Sequence, residues 1–399
     1  MDEMNIEEET EMEEEIGGEW WSWGAGTDGQ LGTGRLDDEH LPQRLPDLSS
    51  GRRISQLACG GAHVIALSGG DVMTWGRGTS GQLGHGELES CLLPKPVKFL
   101  ENFTTSYVSA GWNHSGFVSD TGKLFTCGDG SFGQLGHGDY QSHCSPVEVL
   151  YFAFKHVEQI ACGMRHSLVL LKGSSEDPVY GFGSGKRGQL GVSKDRIRSF
   201  AVPQVIFGLG GIKVISISAN GDHSAALSAN GQLYTWGRGF GGTSDIHLPQ
   251  TLPSPLRFSQ VALGWNHALL LTGEGEVLML GGNHHGMLSD PQTSRQQHSP
   301  VLDSSSVGSA EDSMGLILAK VCGLDGTRVL EIAAGAEHSV LVTENGVVMT
   351  WGWGEHGQLG LGNTFDQTSP QMVKLSDGHN RFRVYCGSGF TYAYRILLS

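Results

Sequence analysis

The chain has 399 residues, of which 61 are glycine, with 17% charged and 38% hydrophobic side chains and a formal net charge of -16. That glycine content excludes a helical protein, while the apolar share suffices for a core, so many short strands joined by glycine turns are expected, and an all-β ring can hold this length as one domain. Phosphate binding needs clustered Lys and Arg, so naked DNA or RNA is not expected as a direct partner, and no uncharged apolar run of about 18 residues is present to cross a membrane as a helix.

Taken from the N-terminus, residues 1–17 form an acidic segment (Asp2, Glu3, Glu7, Glu8, Glu9, Glu11, Glu13, Glu14, Glu15) that repels itself and cannot bury apolar surface. It is expected to be a disordered tail, a solubilising extension or a lure for a basic partner such as a histone tail. A secretory or organellar leader would be basic here. The cysteines (Cys59, Cys91, Cys127, Cys144, Cys162, Cys322, Cys386) are odd in number and lack a C-x-x-C pair. Reduced thiols in the cytosol or nucleus are the natural reading.

Residues 18–399 are expected to be one repeat domain. The segment Trp23–Gly32, W-G-A-G-T-D-G-Q-L-G, recurs at Trp75–Gly84, Cys127–Gly136, Phe182–Gly191 and Trp351–Gly360, with worn copies at Trp236–Gly239 and at Leu280-Gly281 running on to Gly286-Met287-Leu288. A G-x-x-H step runs in phase with it: Gly60–His63, Gly111–His114, Gly163–His166, Gly264–His267 and Gly335–His338, with variants Asn220–His223 and Gly387–Phe390. A proline follows each Q-L-G loop, at Pro42, Pro94, Pro146, Pro203, Pro249, Pro300 and Pro370. All three markers count seven, and a fixed period dictates architecture.

Within one unit, strands are expected at Ile54–Ala58, His63–Leu67, Asp71–Trp75 and near Val97–Leu100; Asn230-Gly231 and Asn345-Gly346 mark tight hairpins. A four-stranded sheet cannot cover both its faces, so seven must pack radially, which gives an all-β, seven-bladed propeller with the Trp, Cys, Phe or Leu before each glycine packed between blades. Trp20–Gly24 reads as a third strand without its first two, and Tyr392–Leu398 supplies the missing ones; the two ends should share one sheet and close the ring, leaving no open edge. A loop insertion is expected over about 283–328, serine-rich at Ser304–Ser313 and mobile.

The G-x-G-x-x-G in each repeat imitates a dinucleotide fingerprint, but a turn follows it instead of the helix that would hold a pyrophosphate. Cys59 with His63 and Cys162 with His166 have a metal-like spacing, yet they occupy one repeat position in different blades. The recurring histidines read as side chains tying loops to the backbone, and no Ser, His and Asp set indicates a nucleophile. No cofactor, metal or catalytic residue is expected.

W-G-x-G-x-x-G-Q-L-G in phase with G-x-x-H-S closely resembles the regulator of chromosome condensation repeat over residues 20–399. The resemblance implies a seven-bladed propeller, in a family that includes an exchange factor for the small GTPase Ran, a plant ultraviolet-B photoreceptor and many interaction modules. The photoreceptor type is marked by G-W-R-H-S or G-W-R-H-T steps in neighbouring blades, its tryptophans absorbing light and its arginines pairing across a dimer. This sequence has Gly111-Trp112-Asn113-His114 and Gly264-Trp265-Asn266-His267, with Asn113 and Asn266 in place of the arginines and Asp222 and Glu337 in the blades beside Trp265. No coupled tryptophan cluster is therefore expected.

The two residues between G and H fall at the same end of every blade and should form a ring. Trp112, Asn113, Arg165, Asp222, Trp265, Asn266 and Glu337 are its chemically distinctive members, and Trp and Arg dominate the centres of protein interfaces. The expected function is a non-enzymatic protein-interaction and regulatory propeller, acting as a monomer on protein partners such as a small GTPase or a chromatin protein. Guanine nucleotide exchange and ultraviolet-B sensing are the alternatives.

Overall fold

The computed structural model describes residues 15–49, 53–174, 176–193, 198–240, 244–281, 318–375 and 381–398. They build seven four-stranded antiparallel sheets. Blade II shows the plan. Its inner strand Ile54–Cys59 leads through the G-x-x-H turn to His63–Ser68, a hairpin returns as Asp71–Gly76, and the Q-L-G loop delivers the outer strand Cys91–Pro96. Blades III to VII repeat this over 105–148, 157–205, 214–251, 258–320 and 329–372.

Blade I is made from both ends of the chain. Glu15–Gly24 pairs with Glu39–Arg44 on one side and with Phe390–Leu398 on the other, which in turn pairs with Arg381–Cys386. The ladder joining the ends sets Trp20 opposite Tyr394 and Trp23 opposite Thr391, with the Trp20 and Tyr394 rings stacked at 4.5 Å. Glu19 pairs with Arg44 on one flanking strand and Arg395 on the other. The expected closure of the ring by the two termini is what holds its circle together.

The core lies between blades. One buried cluster joins Trp20, Tyr392 and Tyr394 of blade I to Leu57, Val64 and Trp75 of blade II. The residue before the repeat glycine (Trp23, Trp75, Cys127, Phe182, Trp236, Leu280, Trp351) is buried in every blade. The glycine after it has positive φ in all seven copies, +98° at Gly76, where a Cβ would lie 2.5 Å from the Ala62 carbonyl oxygen. Only glycine fits that close approach.

Two expectations need correction. The fourth strand is Cys91–Pro96, not Val97–Leu100: Val97 closes the ladder by donating to the Val72 carbonyl at 2.9 Å, and Lys98–Asn102 forms a 3-10 turn. Val97 and Leu100 are both buried, a three-residue spacing that suits a helical turn and defeats strand alternation. The expected insertion is also shorter than 283–328. Leu318–Lys320 is the outer strand of blade VI, and Val321 closes its ladder on the Val277 carbonyl at 3.0 Å; residues 282–317, with Ser304–Ser313 and Pro300, lie outside those described, as does most of the acidic segment 1–17.

The prolines then acquire a reason. Pro42, Pro94, Pro146, Pro203, Pro249 and Pro370 all stand in outer strands, where a missing N–H blunts an edge that could recruit another strand. In blade VI this place belongs to Leu318, opposite Leu280, so Pro300 is not its structural counterpart.

Candidate partner-binding face

The G-x-x-H turns gather around the axis at one end of the ring and are bonded to one another. Gly61 N–H donates to the Gly111 carbonyl, Trp112 to Gly163, Met164 to Gly221, Trp265 to Ala336, Ala336 to Ser388 and Ser388 to Gly60, at 2.9–3.1 Å. Between blades V and VI the Asn220 side-chain amide takes over, donating to the Leu263 carbonyl at 2.6 Å. Every blade is thus linked to the next in a closed belt.

Beneath the belt the histidines do something more specific than tie loops to the backbone. His63 Nε2 meets Ser115 Oγ of the next blade at 2.9 Å, and His114 meets Ser167, His166 meets Ser224, His267 meets Ser339 and His338 meets Thr391 at 2.9–3.0 Å. Ser115, Ser167, Ser224 and Thr391 spend their protons on the carbonyls of Gln82, Gln134, Gln189 and Gln358, the Gln of each Q-L-G loop. A hydroxyl has one proton to give, so it accepts from the ring nitrogen, which fixes these imidazoles as the Nε2–H tautomer. Burial pushes His63, His166 and His338 down to about 3 and His114 and His267 to about 4. Neutral and engaged, they are no general bases. His223 Nε2 instead bonds a backbone oxygen, that of Trp265 at 2.7 Å.

Trp112 and Trp265, three blades apart, meet over the axis with ring centroids 5.0 Å apart and planes at 46°. This overturns the expectation of no tryptophan cluster: turns that reach the axis touch across it, so separation in blade number does not measure distance. Both indoles are half-buried. They border an axial cavity of about 70 Å³ together with Met164, Asn220, Cys59, Cys162 and Cys386. Burial pushes Cys162 up to about 12 and Cys59 and Cys386 further, which keeps them as thiols and not nucleophiles.

The other expected residues surround the pair. Arg77 donates to Asn113 at 2.9 Å, Asn266 donates to Glu337 at 2.8 Å, and Gln189 donates to Asp222 at 2.9 Å. Burial raises the Asp222 carboxyl against the pull of Arg165, Arg238 and Arg187. Arg165 is exposed and lies 4.9 Å over the Phe132 ring. The structure therefore places all seven expected residues on one face, with Trp112 and Trp265 in contact at its centre.

Sequence reasoning missed a second, outer ring. The residue after the repeat glycine donates its N–H to the turn: Ala25 to Gly389, Arg77 to Ala62, Asp129 to Asn113, Ser184 to Arg165, Arg238 to Asp222 and Trp353 to Glu337, at 2.7–3.0 Å. Its signal was the variable third letter of W-G-x-G. This face offers a rigid apolar centre with charges fixed around it, an arrangement for docking. The G-x-G-x-x-G loops close as turns, Gly29 N–H on the Gly26 carbonyl at 2.9 Å and Gly32 on Gly29 at 3.1 Å, with no helix end to hold a phosphate.

The RCC1-like domain profile matches residues 19–393. The chain belongs to the RCC1-like domain family. Among curated RCC1-like proteins it is 31% identical to the ultraviolet-B receptor UVR8 of Arabidopsis thaliana, over 86% of this chain and 74% of that one. It is 29% identical to the secretion-regulating guanine nucleotide exchange factor of Bos taurus, over 94% and 82%. The solved structure of Prp20p from Saccharomyces cerevisiae shares the fold, with a TM-score of 0.79 at 23% identity, covering 97% of this chain and 93% of that one. Among the described residues no helix is long and apolar enough to cross a membrane.

Proposed function

We propose that this chain is a non-catalytic interaction and regulatory propeller that seats a protein partner on the face centred on Trp112 and Trp265. One observation carries the reading: two half-buried indoles in mutual contact, 5.0 Å between centroids, on a belt of turns locked by hydrogen bonds. Exposed aromatic area held rigid loses little entropy on binding, and such residues dominate interface energetics. Affinity purification with the Trp112→Ala/Trp265→Ala chain tests it. Partners are expected to disappear while the melting temperature shifts little; an unchanged partner set sinks the face. The cytosol or nucleus is the compartment we assign, a reading supported by seven cysteines that are all free thiols.

Guanine nucleotide exchange on a small GTPase is the second reading, favoured by the relative of that name matched over 94% of this chain. The same face would loosen the nucleotide by contact alone, without covalent chemistry. Fluorescent nucleotide release across a panel of small GTPases decides it: acceleration of one member supports exchange, none dismisses it. Light sensing would use the same indole pair. Asn113 and Asn266, already bonded to Arg77 and Glu337, supply no cation for a second copy, and an unaltered elution volume after ultraviolet-B exposure would remove this reading.

A further inference from the structure

Inner strands of neighbouring blades lie side by side without a ladder, so their facing backbone groups need side-chain partners. Three seams use a glutamine at the third position of the inner strand. Gln56 accepts the Val108 N–H and donates to the Val108 carbonyl, both at 3.1 Å. Gln260 does the same to Ile332 at 3.2 Å, and Gln159 accepts from Ile217 at 3.3 Å while donating to Ile215 at 3.1 Å. A carboxamide suits the task because one end accepts and the other donates.

Between blade VII and the closing blade I, the same third position of Val329–Ala334 holds Glu331, whose Oε1 accepts the Val384 N–H at 3.4 Å. An ionised carboxylate can only accept, so it cannot reproduce the second bond. We propose that Glu331 is a proton-gated clamp on the seam that closes the ring: protonated on Oε2 it copies the glutamine pair by donating to the strand carbonyl, and ionised it keeps a single bond. The carboxyl is pushed up to about 7 by burial, with the Val384 N–H and Arg383 pulling the other way. Arg383 and Tyr385 are the charged or titratable groups facing it from Arg381–Cys386, and Tyr385 is itself raised by burial and by the Glu331 charge. The adjoining inner strand Phe258–Leu263 carries no ionisable side chain, and the second strands behind bring only His267 and His338, both neutral.

The sign follows. The folded chain holds this proton up to about pH 7, whereas the unfolded chain releases it near the ordinary carboxyl value of 4.5, so the stability contributed by Glu331 is fully present below about pH 4.5 and is lost as pH rises from there to about 7, with little change beyond. Thermal melts of the wild type, Glu331→Gln, Glu331→Met and Gln56→Glu from pH 5.5 to 8.5 test it. Glu331→Gln is expected to melt roughly 2–4 °C above wild type at pH 8.5 and within about 1 °C of it at pH 5.5. Glu331→Met, uncharged but without a donor, should fall below Glu331→Gln throughout, and Gln56→Glu should acquire the same alkaline weakness at its own seam. A gap that does not change with pH, or a Met variant equal to the Gln variant, overturns the clamp. Should a variant fail to fold, hydrogen exchange at residues 381–386 of the wild type, corrected for intrinsic rate, gives the answer: protection falling between about pH 5 and 7 supports the clamp, and level protection refutes it.

Discussion

The seam between blades IV and V and the seam between blades I and II solve one packing problem in two ways. At the first, His166 reaches Ser224, whose hydroxyl donates to the Gln189 carbonyl, and Trp236 Nε1 donates to that same carbonyl at 3.0 Å. At the second, Phe390 replaces the histidine and Val64 the serine, and the Tyr392 hydroxyl fills the gap, donating to the Gln30 carbonyl at 2.7 Å and accepting Trp75 Nε1 at 3.0 Å. The repeat thus degenerates in linked sets. Where the hydroxyl is lost the histidine goes or is re-aimed, as with Ala268 and His223, because a buried imidazole N–H left unpaired is expensive.

The largest expected effect comes from deleting the strand after Gly389. That removes the ladder joining the chain ends and opens the ring, so the truncated chain should show no cooperative melt near the wild-type temperature; an unchanged transition breaks the account of closure. Next is acid. Six buried histidines sit at about 3 to 4 in the folded chain. The unfolded chain takes up these protons below about pH 6.5, so each histidine removes about 1.4 kcal/mol per pH unit as pH falls from there. A steep acid transition is expected by equilibrium fluorescence, and His166→Gln should make it shallower; an equal slope contradicts the neutral relay.

Smaller effects sharpen the contrast between seams. Tyr392→Phe strands Trp75 Nε1 and the Gln30 carbonyl together and should cost about 2 kcal/mol in urea unfolding, whereas Tyr394→Phe, outside that relay, should cost less. Ala268→Ser is the mildest. It restores a hydroxyl in blade VI, but blade V lacks the Q-L-G acceptor, so no gain is expected and a loss of about 1 kcal/mol is. A clear gain would show that the Q-L-G carbonyl is dispensable.

Seven blades and their closure could be read from the sequence because two markers kept one phase in every unit, the proline joined them in six, and the first unit lacked what the last unit supplied. The serine after four of the six histidines (Ser115, Ser167, Ser224 and Ser339) was also visible, but not its role, since the hydrogen bond comes from the histidine of the preceding blade, more than 50 residues back, as in His63 to Ser115. That Trp112 and Trp265 belong to the G-x-x-H turns was visible, but their contact was hidden because a linear order of blades says nothing about who meets across the axis. Arg77, Arg238 and Trp353 escaped notice because they occupy the variable letter of a motif read for its glycines. The outer strands were displaced in the reading because their prolines look like loop residues until the edge they protect is seen.

Hydrogen exchange of the chain with a partner recovered by affinity purification, compared with the free chain, reads the proposed docking face most directly. New protection should fall on the turns at 60–63, 111–114, 163–166, 221–223, 264–267 and 335–338 and on the outer ring at Arg77, Arg238 and Trp353. Protection concentrated instead on the opposite end, at 97–103 and 149–156, with these turns unchanged, would contradict it.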